Sequence, residues 1–303
     1  MKVSSKLQNR LARTVFGLFA VCFLSFAVFG QAATKISQNE FVEARHTSKL
    51  LAREVSYRII LPADYKQSEK KRFAVIYLLH GRGGNFKDWT NLTKITRYSS
   101  AYNFIIVMPD GGKESWYADN VNLPDDKYET YFIKELIPEI DGKYRTVPDR
   151  PNRIVAGLSM GGYGAIKFGL KYPEKFVLAG SFSGAMDAIV KTQNYKHLIK
   201  SVADVFGEEN SQARKDNDIF KIINEASAEK IKDFPFLFVD CGTEDHQFQS
   251  NRNFVALLTD KKVPHEYRQM PGIHNWAFWD SEVQEFLRVA DKLMSSKTPK
   301  PKK

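Results

Sequence analysis

The sequence predicts an α/β fold, a mostly parallel central sheet with helices on both faces. Three observations lead there. Short apolar, β-branched runs (RFAVIYLL, FIIVMPD, RIVAGL, FVLAG, FPFLFVD) alternate with stretches of helical period. No Pro/Gly/Ser-rich linker or internal repeat interrupts them. The 303 residues, 43% of them hydrophobic, suffice for one large domain.

In chain order, FVEARHTSKL and EVSYRIILP read as two strands forming an antiparallel edge pair. RFAVIYLL, residues 72–79, is the first strongly buried strand and runs straight into HGRGGNFKDW. A helical stretch near 90–101 and a strand at 104–110 follow. YETYFIKELIPEIDGKY has Phe132, Ile133, Leu136, Ile137 and Ile140 on one side of a helix, which Pro138 should kink. Then come the strand RIVAGL and a helix from about Tyr163, a strand at 176–180, and a polar, helix-rich stretch at 187–232. The last elements are a strand at 234–240, a helix near 249–261, the strand PHEYRQM and a helix near 276–294. The domain is expected over residues 33–295, with 187–232 as a cap or lid.

The two ends differ from this body. Lys2, Lys6, Arg10 and Arg13 precede an apolar run, Val15 to Phe29, with small residues at Gly30 and Ala32. That pattern predicts a cleaved signal over residues 1–32 and a secreted or periplasmic protein. The 15-residue run falls short of the ~20 residues of a comfortable span, so no stable membrane span is expected after cleavage. Val21 is too large to precede a lipoprotein cysteine at Cys22. Cleavage leaves Cys241 as the only cysteine, which excludes an internal disulfide. The net charge of +10 falls to +6 without the four basic residues of the signal. It falls to +2 without the four lysines of the tail at 296–303, read as a solvated, disordered end. The basic balance thus belongs to the ends and gives no case for a nucleic-acid partner.

Between RIVAGL and the helix after it stands Gly157-Leu158-Ser159-Met160-Gly161, a G-x-S-x-G pattern at a strand-to-helix turn. A side chain at so sharp a turn strains the backbone, and the flanking glycines relieve the crowding. A serine there is a candidate nucleophile, and it needs a base and an orienting acid. Of the six histidines, His274 lies between the last strand and the last helix, at the end of the sheet where ligands bind. His80 sits in a loop where backbone donors are wanted; His46, His197, His246 and His265 fall in strands, the insertion or the acid segment. The acid should come from FLFVDCGTEDHQF, which offers Asp240, Glu244 and Asp245. Asp240 ends the strand, and spacing does not separate Glu244 from Asp245. Backbone donors for a developing oxyanion should come from Met160 and from the turn His80-Gly81-Arg82-Gly83-Gly84. No G-K-[ST] follows those glycines, which disfavours a phosphate cradle.

YLLHGRGGNFKDW, MPDGGKESWY, GLSMGGYGA, DCGTEDHQF and HNWAFW resemble, in this order, the blocks of the esterase D family of α/β-hydrolases. The similarity runs from about 50 to 290. The family includes feruloyl, acetyl-xylan and tributyrin-type esterases, S-formylglutathione hydrolases and mycolyltransferases. The resemblance implies an α/β-hydrolase fold with Ser159 as nucleophile, Asp245 as acid and His274 as base, and with the N–H groups of Met160 and Arg82 as oxyanion donors. Tyr163, and HNWAFW after the catalytic histidine, place the chain nearer the feruloyl and tributyrin branch.

The expectation is therefore an exported carboxylesterase acting through an acyl-enzyme on small-molecule or polysaccharide-linked esters. An acyltransferase of the mycolyltransferase type, or a formylglutathione-hydrolase-like thioesterase, is the alternative. A binding protein on the same fold is a third class. No cofactor is expected, and no metal, because no His/Cys/Asp cluster has ligand spacing along the chain. Trp116, Tyr117 and Trp276 are the candidates for lining the acyl or alcohol pocket, and flat rings there favour sugar or phenolic groups. Trp279, at helical spacing from Trp276, reads as packing.

Overall fold

Strand-forming sequence and parallel connection dictate the architecture. The computed structural model describes residues 40–67 and 69–295. The signal at 1–32 and the basic tail at 296–303 lie outside the described residues. The strands are β1 (Phe41–Ser48), β2 (Arg53–Ile60), β3 (Ala74–Leu79), β4 (Phe104–Pro109), β5 (Arg153–Leu158), β6 (Leu178–Phe182), β7 (Phe236–Gly242) and β8 (His265–Met270). They form one sheet in the order β1-β2-β4-β3-β5-β6-β7-β8. β1 pairs antiparallel with β2, and β2 with β4; every other pair is parallel. β6 begins two residues later than the run FVLAG predicts. β7 carries on past Asp240 to Gly242, so that carboxyl lies within the strand.

The central strands are apolar on both faces because helices cover both. On one side Tyr77, Val155 and Val239 pack with Phe132, Phe168 and Phe254. On the other, Ile76, Ala156 and Phe238 pack with Trp89, Phe286 and Leu287. The expected helix at 90–101 is broken into the short turns Asp88–Leu92, Ile95–Tyr98 and Ser99–Ala101.

Pro138 perturbs its helix through a change of winding. Tyr128–Tyr131 is α-helical, Phe132–Leu136 is a π turn, and Ile137–Lys143 is α-helical again. The Ile137 N–H donates to the Phe132 carbonyl five residues back. Proline can neither donate to nor fit against the carbonyl four residues earlier, and the wider turn absorbs that mismatch.

The insertion at 187–232 is helical, as expected, with Ile199–Phe206, Gln212–Asp216, Ile219–Glu225 and Ala228–Asp233 as its α-helices. Ser211, Asp218 and Ser227 cap the last three by accepting backbone N–H bonds. Among the described residues no helix is long and apolar enough to cross a membrane.

Candidate active site

The turn between β5 and the helix Met160–Lys171 holds Ser159 at φ 53° and ψ −116°, a backbone conformation that a side-chain-bearing residue seldom adopts. Its surroundings hold it there. The Ser159 N–H donates to the Phe182 carbonyl, and the Ser159 carbonyl accepts from Tyr163 and Ala185. Glycine is required on both sides. A Cβ at Gly157 would stand 2.6 Å from the Gly161 backbone, and one at Gly161 would stand 2.6 Å from the His80 carbonyl oxygen. The glycines thus press the nucleophile turn against the loop after β3.

The structure brings together three of the predicted residues from distant parts of the chain. His274 Nε2 lies 3.0 Å from Ser159 Oγ. On the other side of the ring, Nδ1 lies 2.9 Å and 3.1 Å from the two Asp245 carboxylate oxygens. A carboxylate can only accept from that edge, so Nδ1 carries the proton and Nε2 is left as the acceptor facing the serine hydroxyl. Burial alone would raise the Asp245 carboxyl. The hydrogen bond and charge of His274, with the Gln247 N–H at 2.7 Å, outweigh it and hold the carboxyl below the usual aspartate range. Glu244 turns elsewhere: it is exposed and accepts from the Gly272 N–H at 2.6 Å and from the Thr243 hydroxyl. It ties the acid loop to the loop that carries His274.

The backbone N–H groups of Met160 and Arg82 have no hydrogen-bond acceptor among the described residues. The loop around Arg82 is fixed from outside. Gly83 donates to the Lys113 carbonyl, and the Arg82 guanidinium pairs with Glu114 at 2.8 Å. His80 is buried, with Nδ1 donating to Gly81 and Nε2 accepting from Gly111, so it is neutral and structural. Burial pushes its pKa down, in keeping with that role.

These groups open on a cavity of about 400 Å³. Trp116, Leu158, Trp276 and Trp279 line it, together with His197, Leu198, His246 and Gln247. Trp276 and Trp116 are therefore where the sequence reading placed them. Tyr117 is a correction: it does not line the cavity and is fully buried. Its hydroxyl donates to the His80 carbonyl, its carbonyl accepts from Lys167 Nζ, and its ring packs against Gly111 and Gly164. The polar neighbours of ESWY hid a buttress for the donor loop. Trp279 does pack on Trp276, and it also stands edge-on to the His274 ring, with centroids 4.9 Å apart.

Sequence reading missed the cavity-lining residues of the insertion, His197 and Leu198, because no local pattern says which side of a helix-rich stretch faces a site. It also missed that Asp245, His246 and His274 form a tight group, with one ligand-type atom from each within 4.8 Å of the others. Residues 245 and 274 are too far apart for spacing along the chain to reveal them. A larger cleft of about 810 Å³ lies between the start of β2 and the 110–126 loop, but it does not include Ser159 and carries none of this chemistry.

A hydroxyl, an imidazole and a carboxylate in this series, beside two free N–H donors, are the parts of acyl transfer. Comparison with known proteins gives the family. The sequence model of the family named Esterase matches residues 48–288.

The chain belongs to this esterase family.

It is a carboxylic-ester hydrolase with the α/β-hydrolase fold. The esterase is 32% identical over 253 residues to the acetyl esterase of Caldicellulosiruptor saccharolyticus, covering 78% of this chain and 92% of that one. It is 30% identical over 236 residues to Esterase Rv1288 of Mycobacterium tuberculosis, covering 71% of this chain and 51% of the relative, so it spans about half of that protein's length. Among solved structures, a ferulic acid esterase is 27% identical, with a TM-score of 0.74, covering 85% of this chain and 100% of its own.

Proposed function

We propose that the protein is an exported serine esterase that removes acetyl or feruloyl groups from carbohydrate, through an acyl-enzyme on Ser159. The observation that carries this is the continuous series Asp245–His274–Ser159, with bonds of 2.9 Å and 3.0 Å. As Ser159 Oγ bonds to the ester carbonyl carbon, its proton passes to His274 Nε2. Asp245 stabilises the imidazolium, and the N–H groups of Met160 and Arg82 receive the oxyanion. The carbon–alkoxide bond then breaks, and the leaving oxygen takes the proton from Nε2. Water repeats the sequence in reverse roles, giving up a proton to His274 as it attacks the acyl carbon and freeing Ser159 with the carboxylic acid.

Cavity size and lining support the choice of acyl group. About 400 Å³ is at the small end for a ligand site, and indole rings at its wall offer a flat surface to a phenolic ring. Residues 187–232 act as a cap in this reading, because His197 and Leu198 line the cavity and Ser201 Oγ accepts from the Trp116 indole at 3.0 Å. Export rests on the N-terminal pattern of a basic head, an apolar run and small residues.

The test is a panel of p-nitrophenyl acetate, butyrate and octanoate with methyl ferulate and acetylated xylan, each run on wild type and Ser159→Ala. The expected result is higher kcat/KM on the acetyl and feruloyl substrates, loss of turnover in the variant, and no effect of EDTA on purified enzyme. Equal rates in wild type and Ser159→Ala would overturn the mechanism. A preference for octanoate would overturn the carbohydrate reading alone.

A further inference from the structure

We propose that the outer edge of the Asp245–His274 pair is a binding site for a zinc- or copper-class divalent cation, completed by His246, and that the cation switches the esterase off. The site is inhibitory and rests on the same triad as the proposed mechanism.

His246 follows the acid directly in the chain and lies beside it. Its Nδ1 is 3.5 Å from Asp245 Oδ1, and its ring centroid is 4.4 Å from that of His274. Zinc takes imidazole nitrogen and carboxylate oxygen at about 2.0 to 2.2 Å, which sets ligand atoms around one ion roughly 3 to 4 Å apart. The separations present are 3.1 Å between His274 Nδ1 and Asp245 Oδ1 and 3.5 Å between Asp245 Oδ1 and His246 Nδ1. All three groups offer atoms within 4.8 Å of one another. The member best able to move to close the group around one ion is His246, whose side chain is 50% exposed. Asp245 is the fixed member, its side chain wholly buried and held by the Gln247 N–H. Two imidazoles and one carboxylate favour zinc or copper over magnesium, which prefers an all-oxygen shell. A fourth position can be taken by water from the cavity, which His246 and His274 both line.

The chemical consequence follows from the two nitrogens of one ring. In the resting triad Nδ1 carries the proton and Nε2 accepts from Ser159. A cation on Nδ1 displaces that proton, which the neutral ring then carries on Nε2. No net proton is gained or lost by His274, but Nε2 now presents an N–H to Ser159 Oγ and cannot take its proton. The cation also engages the Asp245 charge that would stabilise the imidazolium. Binding therefore removes the base without touching the serine or the oxyanion donors, and a chelator should restore it.

The experiment titrates zinc chloride, in a non-chelating buffer, into purified wild type and His246→Gln. It follows p-nitrophenyl acetate hydrolysis and, in parallel, heat of binding by calorimetry. Each protein's inhibition is expressed against its own zinc-free rate. The expected results are one zinc bound, near-complete loss of wild-type activity that EDTA reverses, and little effect of magnesium chloride. Half-inhibition of His246→Gln should need at least about tenfold more zinc, the loss that even a supporting partner of a metal ligand causes. The proposal is overturned if His246→Gln is inhibited at the wild-type zinc concentration, if magnesium acts as zinc does, or if calorimetry finds no zinc bound to wild type. Calorimetry reads the site even if the ester panel fails, so failure of this proposal and failure of the proposed mechanism are distinct results.

Discussion

Asp240 within β7 and Asp245 in the loop after it belong to one short segment, yet their surroundings drive them in opposite directions. Asp240 is fully buried, and among the described residues neither carboxyl oxygen has a hydrogen-bond partner. Burial, and then the nearby Glu282 carboxylate, push its pKa well above the aspartate range. Asp245 is as inaccessible at its side chain, but the His274 ring and the Gln247 N–H hold it ionised. Burial by itself therefore raises the pKa of an acid. Donors aimed at the oxygens make a carboxylate that can orient an imidazole and bear its charge.

The sharpest way to break that comparison is to replace each carboxyl by an amide. Asp245→Asn should lower kcat by roughly 10⁴-fold, because the amide cannot hold His274 in the right tautomer. Asp240→Asn changes a carboxyl that has no hydrogen bond to His274 and should leave kcat near wild type, as should Glu244→Gln. Steady-state kinetics on p-nitrophenyl acetate decides the matter, and a reversed order would transfer the role of acid to Asp240 or Glu244.

A second buried carboxylate sharpens the contrast on the stability side. Glu129 would also be raised by burial, but the ammonium groups of Lys167 and Lys171, at 2.7 Å and 2.5 Å, push it down to about 2. Lys167 sits on the helix behind Ser159 with no exposure, and burial pulls it down to about 8. Glu129→Gln leaves that ammonium buried without its countercharge, with the Tyr117 carbonyl still accepting from it, and should cost about 3 to 5 kcal/mol in urea denaturation.

The pH dependence of stability should separate the two kinds of carboxyl. Glu129 has a folded pKa below its unfolded one, so its contribution is complete above the ordinary carboxylate range and is lost as pH falls toward 2. Asp240 has the opposite sign. Its contribution is complete below the unfolded aspartate pKa and is lost as pH rises through its elevated folded value. Thermal melts should therefore show Glu129→Gln flattening the acid limb between about pH 4.5 and 2, and Asp240→Asn flattening the decline as pH rises above the ordinary aspartate range. A common response of both variants would contradict the opposed shifts.

The smallest effect concerns the donor loop. Tyr117→Phe removes one hydrogen bond, from the Tyr117 hydroxyl to the His80 carbonyl, worth about 0.5 to 1.5 kcal/mol. It should lower kcat/KM a few-fold with little change in the acyl-chain preference. A changed chain preference would return Tyr117 to the cavity wall.

What could be read from the sequence was what is local. The glycines around Ser159 and the alternation of strands and helices are written in consecutive residues, and both match the fold. The choice between Glu244 and Asp245 was not local. It depends on which carboxyl turns toward a ring twenty-nine residues on, and Glu244 spends its oxygens on Gly272 and Thr243 instead. Tyr117 escapes a reading of the sequence because a polar sequence neighbourhood does not report a ring packed between glycines. Gly111 and Gly164, where a Cβ would lie 2.2 Å and 2.8 Å from that ring, were the signal available. By sequence His246 belongs only to the acid segment, since the third dimension alone sets it against His274.

The central claim is that Ser159, His274 and Asp245 act as one device, and non-additivity tests it most directly. Single-turnover and steady-state rates would be measured for Ser159→Ala, His274→Ala and the double variant on p-nitrophenyl acetate. Each single change should cost several orders of magnitude in kcat, and the double variant should be hardly slower than either, because a serine without its base and a base without its serine are equally idle. Losses that multiply in the double variant would show that the two residues contribute independently, and would contradict the account.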